Sequence, residues 1–138
     1  MKTMTKSELR DILDSTQFSI RKDEDGDYLT ILSADSDFKH DVIVFFVLDE
    51  DGDKLQIISF AAFEISKSLE DEAIKFCNQM AGHYSYGQPH FKDGRFRMSA
   101  AIRNPAEVSK DWLLDSFIKL HVAVFWQFYK AVGEKFDN

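Results

Sequence analysis

The sequence predicts a single α+β domain in which one antiparallel sheet is combined with an N-terminal, a middle and a long C-terminal helix. Residues 18–63 hold four runs of β-branched and aromatic residues between acidic, glycine-containing turns, the pattern of an antiparallel meander. Segments with helical spacing of apolar residues flank this region on both sides. A length of 138 residues suits one core, so the domain is expected to span 1–138.

The N-terminal helix is predicted over residues 6–15. Thr5 and Glu8 have the spacing of a capping box, in which a hydroxyl and a carboxylate bond the first free amides of a helix. The apolar residues that follow share one helical face: Leu9, Ile12 and Leu13.

The meander supplies the first four strands. The run 42–48 has no alternation of polar and apolar residues, which predicts the most buried strand, covered on both faces. The turns at 23–27 and 49–53 repeat the same acidic Asp-Gly phrase ahead of a strand. The predicted strands are 18–21, 28–32, 42–48 and 55–63.

The second half of the chain predicts a helix, a hairpin and a further helix. Ser68 and Asp71 have the spacing of a second capping box, and Gly82 is a suitable left-handed stop for the middle helix. A hairpin with its turn at 92–95 follows, and the last helix is predicted over 109–135. The predicted order of elements is α-β-β-β-β-α-β-β-α.

The charge and the cysteine content exclude several classes of partner. A net charge of −7 would repel nucleic acid and anionic lipid, so neither is expected as a partner. A single cysteine excludes an internal disulfide and fits a reducing compartment. The N-terminus passes directly into charged sequence without an apolar leader, so a cytoplasmic location is expected.

The two acidic turns are the nearest approach to a metal site. Clustered carboxylates suit calcium, but the glycine stands at the fourth loop position rather than the sixth position of an EF-hand. Hairpin turns in which Asp-Gly supplies positive φ angles explain the same residues. No metal-binding residue is therefore predicted, and weak divalent-ion binding at these turns stays open.

No combination of residues predicts catalysis or cofactor binding. The histidines lack the short spacing of a zinc site, and no phosphate-binding loop or nucleophile motif is present. Cys77 lies on the predicted core stripe of the middle helix, where a free cysteine behaves as a small hydrophobe. The protein is therefore expected not to be an enzyme, with no catalytic residue and no cofactor.

The last helix carries apolar residues over more than half of its circumference. A helix that covers one small sheet needs only a narrower stripe, so the second face is expected to meet another surface, most simply a second copy. The sequence thus predicts a homodimer. Its interface residues are predicted to be Ile118, Val122, Phe125 and Tyr129.

The order of elements resembles the YbjN family, small bacterial proteins described as sensory-transduction regulators. The residues that carry the resemblance are Asn78 near the end of the middle helix, the hairpin turn at 92–95, and Phe125-Trp126 in the terminal helix. Many members have a second asparagine three residues after the first, where this chain has Ala81. The resemblance implies a fold like that of class I type III secretion chaperones and a non-enzymatic, often dimeric, protein-binding module.

Two functional hypotheses follow. In the first, the protein is a chaperone-like or regulatory module that forms a homodimer and holds a segment of a partner protein on a sheet edge or helix face. In the alternative, it is a small-ligand-binding or enzymatic domain with a pocket between the sheet and the middle helix, near the 84–90 loop. The residues expected to line that pocket are His83, Tyr84, Tyr86 and His90.

Overall fold

The structure, a computed structural model, describes residues 2–84 and 87–137. Within these residues, one antiparallel six-stranded sheet combines with three helices, which confirms the predicted α+β class and order of elements. The strands are β1 Arg21–Lys22, β2 Tyr28–Leu32, β3 Val42–Leu48, β4 Lys54–Ala61, β5 Gln88–Lys92 and β6 Arg95–Arg103. The first two helices are α1 Lys6–Asp14 and α2 Glu70–Met80.

The C-terminal helix, α3, runs from Lys110 to Phe136 without a break in helical backbone. Its middle part has π-helical hydrogen bonding, with α-helical parts on either side. Ser109 caps it, since the Ser109 side chain accepts a hydrogen bond from the Trp112 amide at 3.1 Å. The three parts are Lys110–Trp112, Leu113–Ile118 and Lys119–Phe136.

The strands lie in the order β1-β2-β3-β4-β6-β5, and every neighbouring pair is antiparallel. The meander β1–β4 has the predicted order and pairing, but its first strand is Arg21–Lys22 rather than 18–21 and β4 ends at Ala61 rather than at 63. The β5–β6 hairpin then joins the sheet through β6. The hairpin turn is also as predicted, with Asp93 and Gly94 at φ values of 53° and 78°. Both edges of the sheet are short, because β1 contains two residues and β5 contains five.

The core lies on one face of this sheet, which all three helices cover. Inward residues of the strands and the apolar stripes of the helices form a single buried cluster. At its centre the Tyr129 hydroxyl of α3 lies 3.4 Å from the Ser59 Oγ of β4 and 3.5 Å from the Phe96 carbonyl oxygen of β6. These polar contacts fix the position of α3 along the sheet.

The prediction that 42–48 is buried on both faces is wrong. Burial alternates along β3, so that Val44 and Phe46 are buried in the core while Phe45 and Val47 on the other face are only half-buried. The physical reason is that all three helices pack against the same face of the sheet. Part of the apolar content of this strand therefore lies outside the core.

The first predicted capping box is confirmed, and the second is wrong. The Thr5 hydroxyl accepts a hydrogen bond from the Glu8 amide, and the Glu8 carboxylate accepts one from the Thr5 amide, each at 3.1 Å. At the second site a 3-10 turn over Lys67–Leu69 precedes α2, and no side chain caps the helix. The Ser68 hydroxyl instead lies 2.9 Å from that of Ser66.

Candidate functional site

An apolar surface remains after folding on the face of the sheet opposite the helices, here called the outer face. Strand register places the outward side chains of β2, β3 and β4 next to one another across this face. None of these apolar side chains belongs to the buried cluster or packs against it. They are Leu29, Ile31, Ile43, Phe45, Val47, Ile58 and Phe60.

Two aromatic rings and two arginines occupy one side of the outer face. The rings of Phe45 and Phe60 stack with centroids 6.0 Å apart and an interplanar angle of 15°. The guanidinium carbons of Arg95 and Arg97 on β6 lie 5.8 and 5.3 Å from the Phe60 ring centroid. These cation–π contacts hold two guanidinium groups beside the apolar surface, and that of Arg95 also pairs with the Glu64 carboxylate at 3.3 Å.

The charge on the outer face is opposite in sign to that of the whole chain. Among the described strand residues that point outward, six are basic and none is acidic. Removing these six from the total of 17 leaves 11 basic residues against 24 acidic ones, so the rest of the chain carries −13. The six are Arg21, Lys54, Lys92, Arg95, Arg97 and Arg103.

The β5 edge of the sheet is poorly suited to pairing with another strand. Lys92 and Arg95 flank a two-residue turn and form a hydrogen-bonded pair, so alternation makes Pro89 and Met98 a non-hydrogen-bonded pair. The backbone nitrogen of residue 89 therefore points to the open edge, where proline has no hydrogen to donate. Proline at such a position disfavours strand addition at this edge of the sheet.

The interface predicted on α3 is mostly inside the chain. The side chains of Ile118, Phe125 and Tyr129 are fully buried, and Val122 is half-buried. The expectation that this stripe faces solvent in one copy is wrong, because Phe38 from the β2–β3 connection packs on α3, with its ring 5.5 Å from that of Tyr129. The second face of α3 is thus covered without a second copy.

The acidic turns connect antiparallel strands as predicted, but only the glycine of each Asp-Gly pair has a positive φ. Gly26 and Gly52 have φ values of 86° and 71°. In the second turn, the Asp49 carboxylate accepts hydrogen bonds from the Asp53 amide at 2.9 Å and the Lys54 amide at 3.2 Å. Asx-type bonding of this kind accounts for the aspartate at the start of the turn.

Hydrogen bonding within the second turn shifts the pKa values of two carboxyl groups in opposite directions. A side-chain hydrogen bond from Asp53, with amide hydrogen bonds from the turn, lowers the pKa of Asp49. The same side-chain hydrogen bond raises the pKa of Asp53. Within residues 2–84 and 87–137, no three His, Cys, Asp or Glu side chains gather in a geometry that could hold a metal ion.

The described residues of the alternative pocket have different surroundings. His83 is exposed after α2, the Tyr84 ring packs edge-on against Phe128 at 6.1 Å, and His90 is half-buried on β5. Tyr86 lies outside the described residues. A cavity of about 740 Å³ lies between the start of α2 and the β5–β6 turn, and its lining residues include Glu64, Ser66 and Phe91 but not His83, Tyr84 or His90.

Three further titratable side chains pack within the fold. His121 is buried in α3 with its ring edge-on to Phe125, as expected for a packed histidine. Cys77 is buried, and desolvation raises the pKa of its thiol to about 12, so it is held as a neutral thiol at neutral pH. The His40 ring stacks on Phe63 with centroids 4.2 Å apart, and His40 Nε2 lies 2.9 Å from Asp137 Oδ2.

Sequence reasoning missed the outer face, although the sequence contained its signal. A half-covered antiparallel strand normally alternates apolar and polar residues, whereas 42–48 is apolar throughout. Without the structure, this run fits a strand between two covering layers equally well. Only the placement of every described helix on one side reveals that the second apolar row lies outside the core.

Comparison with known proteins does not assign the chain to a family. No protein-family model matches the chain, and no curated protein matches it. Among the described residues, no helix is both long enough and apolar enough to span a membrane. The function is therefore inferred from the outer face.

Proposed function

We propose that this chain is a non-enzymatic protein-binding module of a chaperone-like or regulatory kind, acting in the cytoplasm, and that the outer face holds its partner. One observation carries the proposal: seven large apolar side chains lie together on the sheet face that no part of the core covers. An antiparallel sheet that faces water normally presents polar residues there. A contiguous apolar surface on a folded domain marks an interaction site.

The resemblance to the YbjN family supports the same proposal. Its implied fold and its protein-binding role agree with an α+β domain that keeps one sheet face open. The homodimer expected from the sequence is not part of this proposal, because the α3 stripe that motivated it is buried. A second copy would have to use the outer face instead.

The proposal can be tested with a photo-reactive amino acid placed at Ile31 or at Ile74. These are matched positions, since Ile31 on the outer face is 39% exposed and Ile74 on α2 is 42% exposed. After irradiation in cells of the source organism, we expect discrete protein adducts from position 31 and none from position 74. Mass spectrometry of the adducts would identify the partner.

Two results would contradict the proposal. One is the absence of adducts at position 31, with a second outer-face position, Val47, also giving none. The other is an equal set of adducts at positions 31 and 74, because non-specific hydrophobic binding would label both surfaces alike. Circular dichroism of each variant establishes that it is folded before irradiation.

A further inference from the structure

We infer that the occupant of the outer face is an amphipathic, acidic segment of another protein rather than a second copy of this chain. The inference rests on the proposed protein-binding function and names the chemistry of the partner. It is drawn from the charge, the layout and the size of the outer face.

The charge of the outer face is complementary to carboxylates and not to itself. Its described strand positions hold six basic side chains and no acidic one. Glu64 pairs with Arg95 at 3.3 Å, but two copies packed face to face would still bring together more cations than carboxylates, and like charges in an interface are unfavourable. A partner that brings carboxylates would be attracted instead.

The layout fits a segment with one apolar and one acidic side. One row of neighbouring residues runs Ile31, Ile43, Phe60 and Arg97 across β2, β3, β4 and β6. Strands are about 4.8 Å apart, so a helix of about 10 Å diameter spans two to three of them. Its apolar stripe would lie on β3 and β4, and carboxylates on its flank would reach Arg95 and Arg97.

The size of the face also favours a segment. Four strands at about 4.8 Å spacing and about seven residues at ~3.3 Å each give a plane of roughly 450 Å². That is the scale of an apolar binding patch on a monomer and is enough to seat one short segment. A long polyanion such as RNA would also extend over surroundings that carry −13.

The test uses three short, fluorescein-labelled, helix-forming peptides. The first has Leu and Phe along one stripe and Glu on both flanks of the stripe. The second replaces each Glu by Lys, and the third replaces each Leu and Phe by Ser. Fluorescence anisotropy at low and high salt, with the full chain, is expected to show binding of the first peptide only, weakened by salt.

Variants of the chain connect the binding to the outer face. Arg97→Gln is expected to weaken binding of the first peptide about tenfold, because it removes a charge-assisted contact. Lys75→Gln, which removes one charge from the exposed surface of α2, should have no effect. Phe60→Ser should also weaken binding, and Arg97→Gln remains informative if that variant fails to fold.

Several outcomes would overturn the inference. Equal binding of the Glu and Lys peptides would show that charge does not select the partner. Displacement of the Glu peptide by a single-stranded oligonucleotide would indicate a nucleic acid site. Self-association that Phe60→Ser abolishes assigns the face to a second copy. If no peptide binds while position 31 still forms adducts with another protein, the acidic segment is wrong and the protein-binding function stands.

Discussion

The adjacent phenylalanines Phe45 and Phe46 of β3 have different roles. Phe46 is 1% exposed in the core, whereas Phe45 points to the outer face and stacks on Phe60. Position in the pleat, and not residue type, thus decides whether a ring stabilises the fold or is available to a partner. The sequence alone assigns both rings to the core.

This difference predicts unequal effects of truncation. Phe46→Ala is expected to lower the free energy of unfolding by about 3–5 kcal/mol, as for a fully buried ring. Phe45→Ala should lower it by only about 1 kcal/mol, mainly through the lost contact with Phe60. Urea denaturation measures both, and equal losses would mean that the outer face is covered.

A second residue-scale prediction concerns pH. Carboxyl-carbon NMR titration should place the pKa of Asp49 below and that of Asp53 above the ordinary aspartate value. Since folding lowers the pKa of Asp49, its contribution to stability is present above the unfolded pKa and is lost as pH falls through the folded one. Since folding raises the pKa of Asp53, its contribution to stability is instead present below the unfolded pKa and is lost as pH rises through the folded one.

The variant Asp49→Asn supplies the check. Without the shared side-chain hydrogen bond, the pKa of Asp53 should move down towards its ordinary value. The pKa of Asp27 in the other turn, raised by burial and by Asp23, should not change. An unchanged pKa for Asp53 would show that the hydrogen bond to Asp49 is not its cause.

At the scale of elements, local signals were sufficient for most of the fold. The capping box at Thr5, the hairpin turn at 92–95 and the order of elements all follow from short-range patterns that the structure confirms. The second capping box failed because the chain enters α2 through a 3-10 turn, where the last residue before the helix is Leu69. Local spacing does not reveal the direction from which the chain arrives.

Burial of the long helix could not be predicted in the same way. The apolar stripes of α3 exceed what a sheet alone covers, and the additional cover comes from a loop residue, Phe38, and from Phe76 of α2. Both contacts are distant in sequence and carry no local signal. The outer face could not be predicted for the same reason. Tertiary packing, and not local sequence, determines which side of the sheet the helices cover.

The edge strand β5 yields an element-scale prediction. Pro89→Val restores an outward backbone N–H at the open edge, so the variant should self-associate and scatter more light on mild heating. His90→Val is the matched control, because it adds a β-branched residue on the same strand while its amide already points to β6. Equal scattering from the two variants would show that the proline is not what protects the edge.

For the whole molecule, burial and charge predict one copy at micromolar concentration. The α3 stripe is covered within the chain, and the outer face carries like charges. The radius of gyration from small-angle scattering should be about 14 Å, whereas the homodimer predicted from the sequence would give about 18–19 Å. If the larger value is found and Val122→Glu reduces it, α3 does form an interface.

The central claim is that the outer face, and no other apolar surface, binds a protein. Methyl NMR of isoleucine-labelled chain in clarified lysate of the source organism tests it most directly. The account predicts selective broadening of the methyl signals of Ile31, Ile43 and Ile58, while Ile74 on α2 and Ile57 in the core stay sharp. Broadening at Ile74, or at Ile65 beside the cavity, with the outer-face signals unchanged would contradict the account.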